Sequence, residues 1–120
     1  MQIKSYRDLI VWQKSIELVT AAYELTELFP KSEIYGLTTQ MRRAAISIPS
    51  NIAEGSRRGT RKDFRHFVLI AFGSASELET QLIIVKLLPW GKELNYTHTE
   101  NLLTEVLKML NRMISSLENS

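Results

Sequence analysis

Cysteine is absent from this chain, which excludes disulfides, thiolate catalysis and sulfur-based zinc sites. That fits a reducing compartment, and the expected location is cytoplasmic. Proline (three) and glycine (five) are scarce, so few residues interrupt the periodic segments. No stretch approaches the roughly 20 consecutive apolar residues needed to cross a bilayer. The opening MQIKSYRDLIVWQ lacks an unbroken apolar signal core with a small-residue cleavage site. A soluble, unprocessed protein with no membrane partner is expected.

Catalytic patterns are missing as well. There is no glycine-rich phosphate loop and no nucleophile elbow. A carboxylate-bridged metal pair in a helical bundle needs Glu-x-x-His on two helices. The chain offers Asp63-x-x-His66 once, at a helix start, and His98 has Asn95 at the corresponding place. No enzyme activity, cofactor or metal is expected. His66 reads as part of a basic surface and His98 as a loop residue.

What is present is helical periodicity. At 120 residues the chain predicts a single domain over 1–120 with one core. Four segments carry apolar residues at alternating spacings of three and four, which places them on one side of a helix. The first runs through Leu9, Trp12, Ile16, Val19 and Tyr23, from a cap at Ser5 with Asp8 completing a capping box, and ends near Phe29 and Pro30. The second follows Ile34, Leu37, Met41, Ala44, Ile48 and Ile52 and closes at Gly55, read as a left-handed C-cap. The third follows Phe64, Val68, Ala71, Ala75, Leu78, Leu82 and Val85, from a cap at Thr60 to a stop at Pro89. The fourth uses Leu103, Val106, Leu110, Met113 and Leu117, opened by a second capping box at Thr97 and Glu100. Strict alternation is absent and the connections are short, so the fold class is all-α, an up-down-up-down four-helix bundle.

Local features modify this plan. Pro49 removes a backbone donor inside the second helix and predicts a kink near Ala45 to Pro49. Asn51 and Glu54 read as a polar network holding the freed backbone groups. Gly73, beside Ser74, costs about 1 kcal/mol relative to alanine in mid-helix. Close approach of a neighbouring helix would offset that, either within the bundle or between subunits. Trp12 is expected in the core, while Trp90, between Pro89 and Gly91, remains a candidate contact. Leu18, Leu25, Phe67, Ile70, Phe72, Leu107 and Ile114 fall outside the core stripes. Apolar residues on a second side predict self-association into a symmetric oligomer.

Charge is concentrated between Gln40 and His66. Seven of the fifteen Lys and Arg residues lie there against two acids, while the rest of the chain has eight bases and eleven acids. Arg42 and Arg43 sit mid-helix, and one of them is expected to pair with Glu54, Glu77 or Glu79. Arg57, Arg58, Arg61, Lys62 and Arg65 surround a glycine turn and a helix N-terminus, a pattern suited to phosphate. Three readings of that cluster stay open: a nucleic-acid contact, a solvated face, or a partner for acids of an adjoining subunit.

The run RRAAISIPSNIAEGSRR, together with FRHFVLIAFGSASELETQL of the third helix, resembles the bacterial four-helix bundle family named for proteins encoded in intervening sequences of 23S ribosomal RNA genes. Its members are often labelled S23 ribosomal protein. The resemblance extends to YRDLIVWQKSIELV, YGLTTQMRRA and the final VLKMLNRMISSL. It implies a homopentameric bundle without established catalytic activity; the link to RNA comes from where the genes sit. A related bundle, the accessory protein of diversity-generating retroelements, is a basic pentameric barrel that engages a reverse transcriptase and nucleic acid. The segment LPWGKELNY at Leu88 to Tyr96 departs from the family pattern, so the last connection is expected to differ in shape.

Overall fold

The computed structural model describes residues 5–118. Four α-helices follow in order, α1 (Ile10–Thr26), α2 (Leu37–Ser56), α3 (Arg61–Leu87) and α4 (Thr97–Glu118). Short 3-10 turns occupy Tyr6–Asp8, Lys31–Glu33 and Pro89–Gly91. Each helix packs against its chain neighbours, and α1 closes the bundle against α4. Cross-helix contacts set the directions: Arg57 lies over the Tyr6 ring and Arg61 reaches Ser116, while Lys86 pairs with Glu100 at the far end. The result is an up-and-down bundle of 47 × 21 × 19 Å.

The expected line of α3 is buried throughout, from Phe64 to Val85, and Thr60 caps that helix by accepting from the Asp63 N–H at 3.1 Å. Met41, Ala44, Ile48 and Ile52 of α2 and Leu103, Val106, Leu110 and Leu117 of α4 are buried as well. α1 is different. Its core line is Val11, Ser15, Leu18, Ala22 and Leu25, whereas Ile16 and Tyr23 are exposed and Leu9, Trp12 and Val19 half-buried. The helix is apolar on two sides, and the side bearing Ala21, Ala22 and Ser15 fits the narrow centre. Trp12 is therefore only partly buried, packs against the edge of the core and meets the Tyr6 ring edge-on at 5.3 Å.

Several ends also differ from expectation. Ser5 caps the first 3-10 turn, accepting from the Arg7 N–H at 3.1 Å, and α1 begins five residues later with no side-chain cap. α2 starts at Leu37, leaving Ile34 exposed in the preceding turn. At α4 the Asn95 carboxamide accepts from the Thr97 N–H at 3.0 Å, and Glu100 turns instead to Lys86. Thr97 is thus the first helical residue, with no capping box.

α2 runs unbroken through the buried Pro49. Side chains return bonds to carbonyls around it: Ser50 donates to Ile46 and Asn51 to Ser47, both at 2.8 Å. Asn51 bonds the Ser47 carbonyl and hydroxyl rather than the Ala45 carbonyl that Pro49 frees, and Glu54 pairs with Arg58, so neither holds the freed group as expected. Ser47 and Ser74 hydroxyls, 2.8 Å apart, carry the polar contact across to α3. Gly73 has open space where a Cβ would project, so no helix of this chain approaches it. Close packing inside the bundle is therefore not what this glycine serves.

Gly55 is no C-cap. It is buried inside α2, and a Cβ there would lie 2.6 Å from Phe67 Cβ and 3.1 Å from Phe64. The left-handed residue is Gly59, at φ 91°. Trp90 is half-buried against Phe29, 4.8 Å between ring centres, and seals the far end of the core.

Two predictions follow from these contacts. G55A forces α2 and α3 apart and should lower unfolding free energy by about 1–3 kcal/mol in urea titration; an unchanged midpoint would contradict the close approach. The buried Tyr96 hydroxyl donates to the Gly91 carbonyl at 2.6 Å, and burial, then the Glu100 charge, raises its pKa above the usual 10.0. The folded state therefore holds this proton more tightly than the unfolded chain. Its contribution is complete below about pH 10 and is lost as pH rises through the folded value. Thermal melts from pH 9 to 11 should show Y96F losing less stability across that window than the unaltered protein.

Candidate nucleic-acid interface at the basic pole

The pole is built by three chain segments meeting at one end of the bundle. α2 ends at Ser56, Gly59 turns the chain, and Thr60 starts α3, which places the five expected cations within nine residues. The last described turn of α4 arrives beside them.

Two of the five cations are committed to that helix end. Arg61 Nη2 donates to the Ser116 carbonyl at 2.7 Å, and Arg65 Nε donates to the Ile114 carbonyl at 3.2 Å. Arg65 also lies 3.8 Å from Glu118. Positive charge at a helix C-terminus is favourable by both hydrogen bonding and the helix dipole. The Nε of Arg61 is buried without a partner, so this guanidinium is wedged against the bundle.

The other three are exposed. Arg58 pairs with Glu54 one turn back at 2.5 Å and lies over the Phe67 ring at 4.8 Å. An exposed pair of this kind contributes little to stability. Arg57 rests over the Tyr6 ring at 5.4 Å. Lys62 projects from the first turn of α3. Arg7, also near the Tyr6 ring at 6.0 Å, joins the pole from the start of the chain. Sequence reasoning missed it because it lies far from the basic run and only the folding of the first turn brings it there.

The remaining expected residues lie elsewhere. Arg42 bonds Thr26 Oγ1 at 2.8 Å and Glu27 at 3.1 Å, and its guanidinium covers Tyr23 at 4.4 Å. It ties α2 to the end of α1, so Glu27 replaces the expected Glu54, Glu77 or Glu79. Arg43 is exposed in a shallow groove with Gln40, Ser47, Ser74 and Glu77. It forms no ion pair among the described residues.

Fold and pole together define a class: an all-α four-helix bundle that gathers cations at one end. Its sequence places it more narrowly. The chain belongs to the 23S rRNA-intervening sequence protein family, which matches residues 7–112. It is similar to a solved structure of a protein with unknown function from the S23 ribosomal protein family of Bacteroides thetaiotaomicron VPI-5482. The two are 26% identical over 88% of this chain and 98% of that one, with a TM-score of 0.73. No curated protein matches. Neither family description denotes an enzyme.

The division of the cluster is testable without any ligand. R61A and R65A should each reduce stability by about 1 kcal/mol by uncapping α4. R57A and K62A should change it by less than about 0.5 kcal/mol. Chemical denaturation of the four variants compares them directly, and equal effects would contradict the assignment.

Proposed function

We propose that this chain is a non-enzymatic, cytoplasmic binding module that assembles with copies of itself and contacts RNA through the basic pole. The observation that carries the RNA reading is the exposed trio Arg57, Arg58 and Lys62 beside α3's N-terminus, with Glu54 the paired acid among them. Side chains that hold α4 are already used structurally, whereas these three contribute little to the fold. Phosphate contacts of this kind give binding that falls steeply with salt. Repetition around an assembly multiplies a modest affinity per subunit.

Two unpartnered apolar faces support self-assembly. A groove of about 300 Å³ between α1 and α2 is lined by Trp12, Ile16, Val19, Ile46 and Pro49. The outer face of α3 exposes Ile70, Gly73, Ile84 and Leu87. The open space at Gly73 suits close approach by another subunit. Because the faces differ, contact between them would be head-to-tail, the kind that closes into rings. The stoichiometry implied by the family resemblance is a homopentamer.

An 18-residue stretch of α3 has a mean hydropathy, 1.5, that a membrane-spanning helix would also show. Its buried line from Phe64 to Val85 packs in the bundle core, and the proposal includes no membrane. A second reading, a scaffold for a protein partner such as a reverse transcriptase-like enzyme, is favoured by one feature. Tyr35, Leu28 and Ile34 are 95%, 65% and 52% exposed at the end opposite the cations. Exposed aromatic and aliphatic side chains are common anchors in protein interfaces.

The deciding experiment combines RNA retention over a salt gradient with light scattering, for the unaltered protein and R57E/R58E/K62E. The expected result is a multimer of the 13.8 kDa chain that retains RNA at low salt, and a variant that keeps the mass but loses the retention. Unchanged retention would overturn the basic-pole reading. A monomeric mass for the unaltered protein would overturn the assembly.

A further inference from the structure

Exposed cations explain contact with phosphate but select no base. Beside them a recess of about 410 Å³ opens between the start of α3 and the end of α4, lined by Lys62, Arg65, His66, Leu69, Leu117 and Glu118. Its volume falls within the roughly 300–1,000 Å³ of small-molecule sites.

Three kinds of chemistry meet in this recess. Arg65 is held in place by its Nε bond to Ile114 and retains further N–H donors, and Lys62 adds a mobile ammonium. Leu69 and the buried Leu117 provide an apolar wall, beside the imidazole of His66, which stands edge-on to Phe67 at 5.5 Å. Glu118 brings a carboxylate to the rim, engaged among the described residues by the long 3.8 Å approach of Arg65.

A carboxylate among cations repels the carboxylates of an acidic peptide and finds no donor in a bare phosphate. It suits a ligand carrying anionic oxygens at one end and N–H donors at the other. An unpaired nucleotide has both, with a flat ring between them for the imidazole and the leucines. Guanine alone among the RNA bases presents two adjacent donors, N1–H and N2–H, on its Watson–Crick edge. They match the two oxygens of one carboxylate. Adenine and cytosine offer one amino group next to an acceptor, and uracil one N–H between two acceptors.

We infer that this recess binds an unpaired guanosine of RNA. The phosphate meets Lys62 and Arg65, the base lies against His66 and Leu69, and its Watson–Crick edge donates to Glu118. The inference rests on the RNA reading given above and adds base selection to it.

Fluorescence anisotropy with two labelled hexamers, hexauridylate and a uridine hexamer with one central guanosine, tests it. The unaltered protein should bind the guanosine-containing RNA about tenfold more tightly, the discrimination expected of one bidentate base contact. E118Q should bring the two RNAs to within about twofold of each other. Its hexauridylate binding should not weaken, since the variant removes a negative charge from the recess. H66A should lower affinity for the guanosine-containing RNA by more than for hexauridylate. Binding without base preference, or a preference that survives E118Q, would overturn this inference alone. Failure to bind either hexamer would overturn the RNA reading with it.

Discussion

The close approach of α2 and α3 at Gly55 governs the rest of the structure. No side chain fits between this position and Phe67, and Phe64 packs in contact on the same side. With the two helices held at that distance, the chain must reverse within Arg57 to Thr60, and the left-handed backbone of Gly59 makes the reversal short. The N-terminus of α3 is then delivered beside the C-terminus of α4. Arg61 and Arg65 reach its carbonyls only because of that placement.

The same geometry separates cations that neighbour one another in sequence. On a helix, residues 61 and 65 share the face toward α4, whereas residue 62 is rotated by about 100° and points to solvent. One basic run therefore performs two tasks, holding a helix end and offering charge to a partner. At the other end Arg42 makes a comparable tie between α2 and α1, so arginine clamps are used at both ends of the bundle.

Much of this was legible beforehand, but unevenly. α3 has one continuous apolar line, and with helices on both sides of it that line coincides with the core. α1 carries two overlapping lines. Periodicity alone selected Trp12, Ile16 and Tyr23, while the narrow bundle centre took Leu18, Ala22 and Leu25. Bulk and hydrophobicity favoured the first set; available space favoured the second. Gly55 misled for a related reason, since glycine before a basic turn has the composition of a helix end whether it terminates a helix or lets another one approach. Asn95 in place of Thr97 shows how capping depends on where the chain enters the helix.

The sequence by itself determined the class of fold, the number of helices, the cap at Thr60 and the local excess of positive charge. These follow from spacing and side-chain chemistry within a few residues, which a linear reading captures. Only the tertiary structure decided which face of α1 is buried, which partner Arg42 finds, and which cations remain exposed. Those outcomes depend on distances between segments such as Arg61 and Ser116, 55 residues apart. No local pattern encodes them, because the carbonyls that capture Arg61 and Arg65 belong to the backbone, which is the same in every sequence.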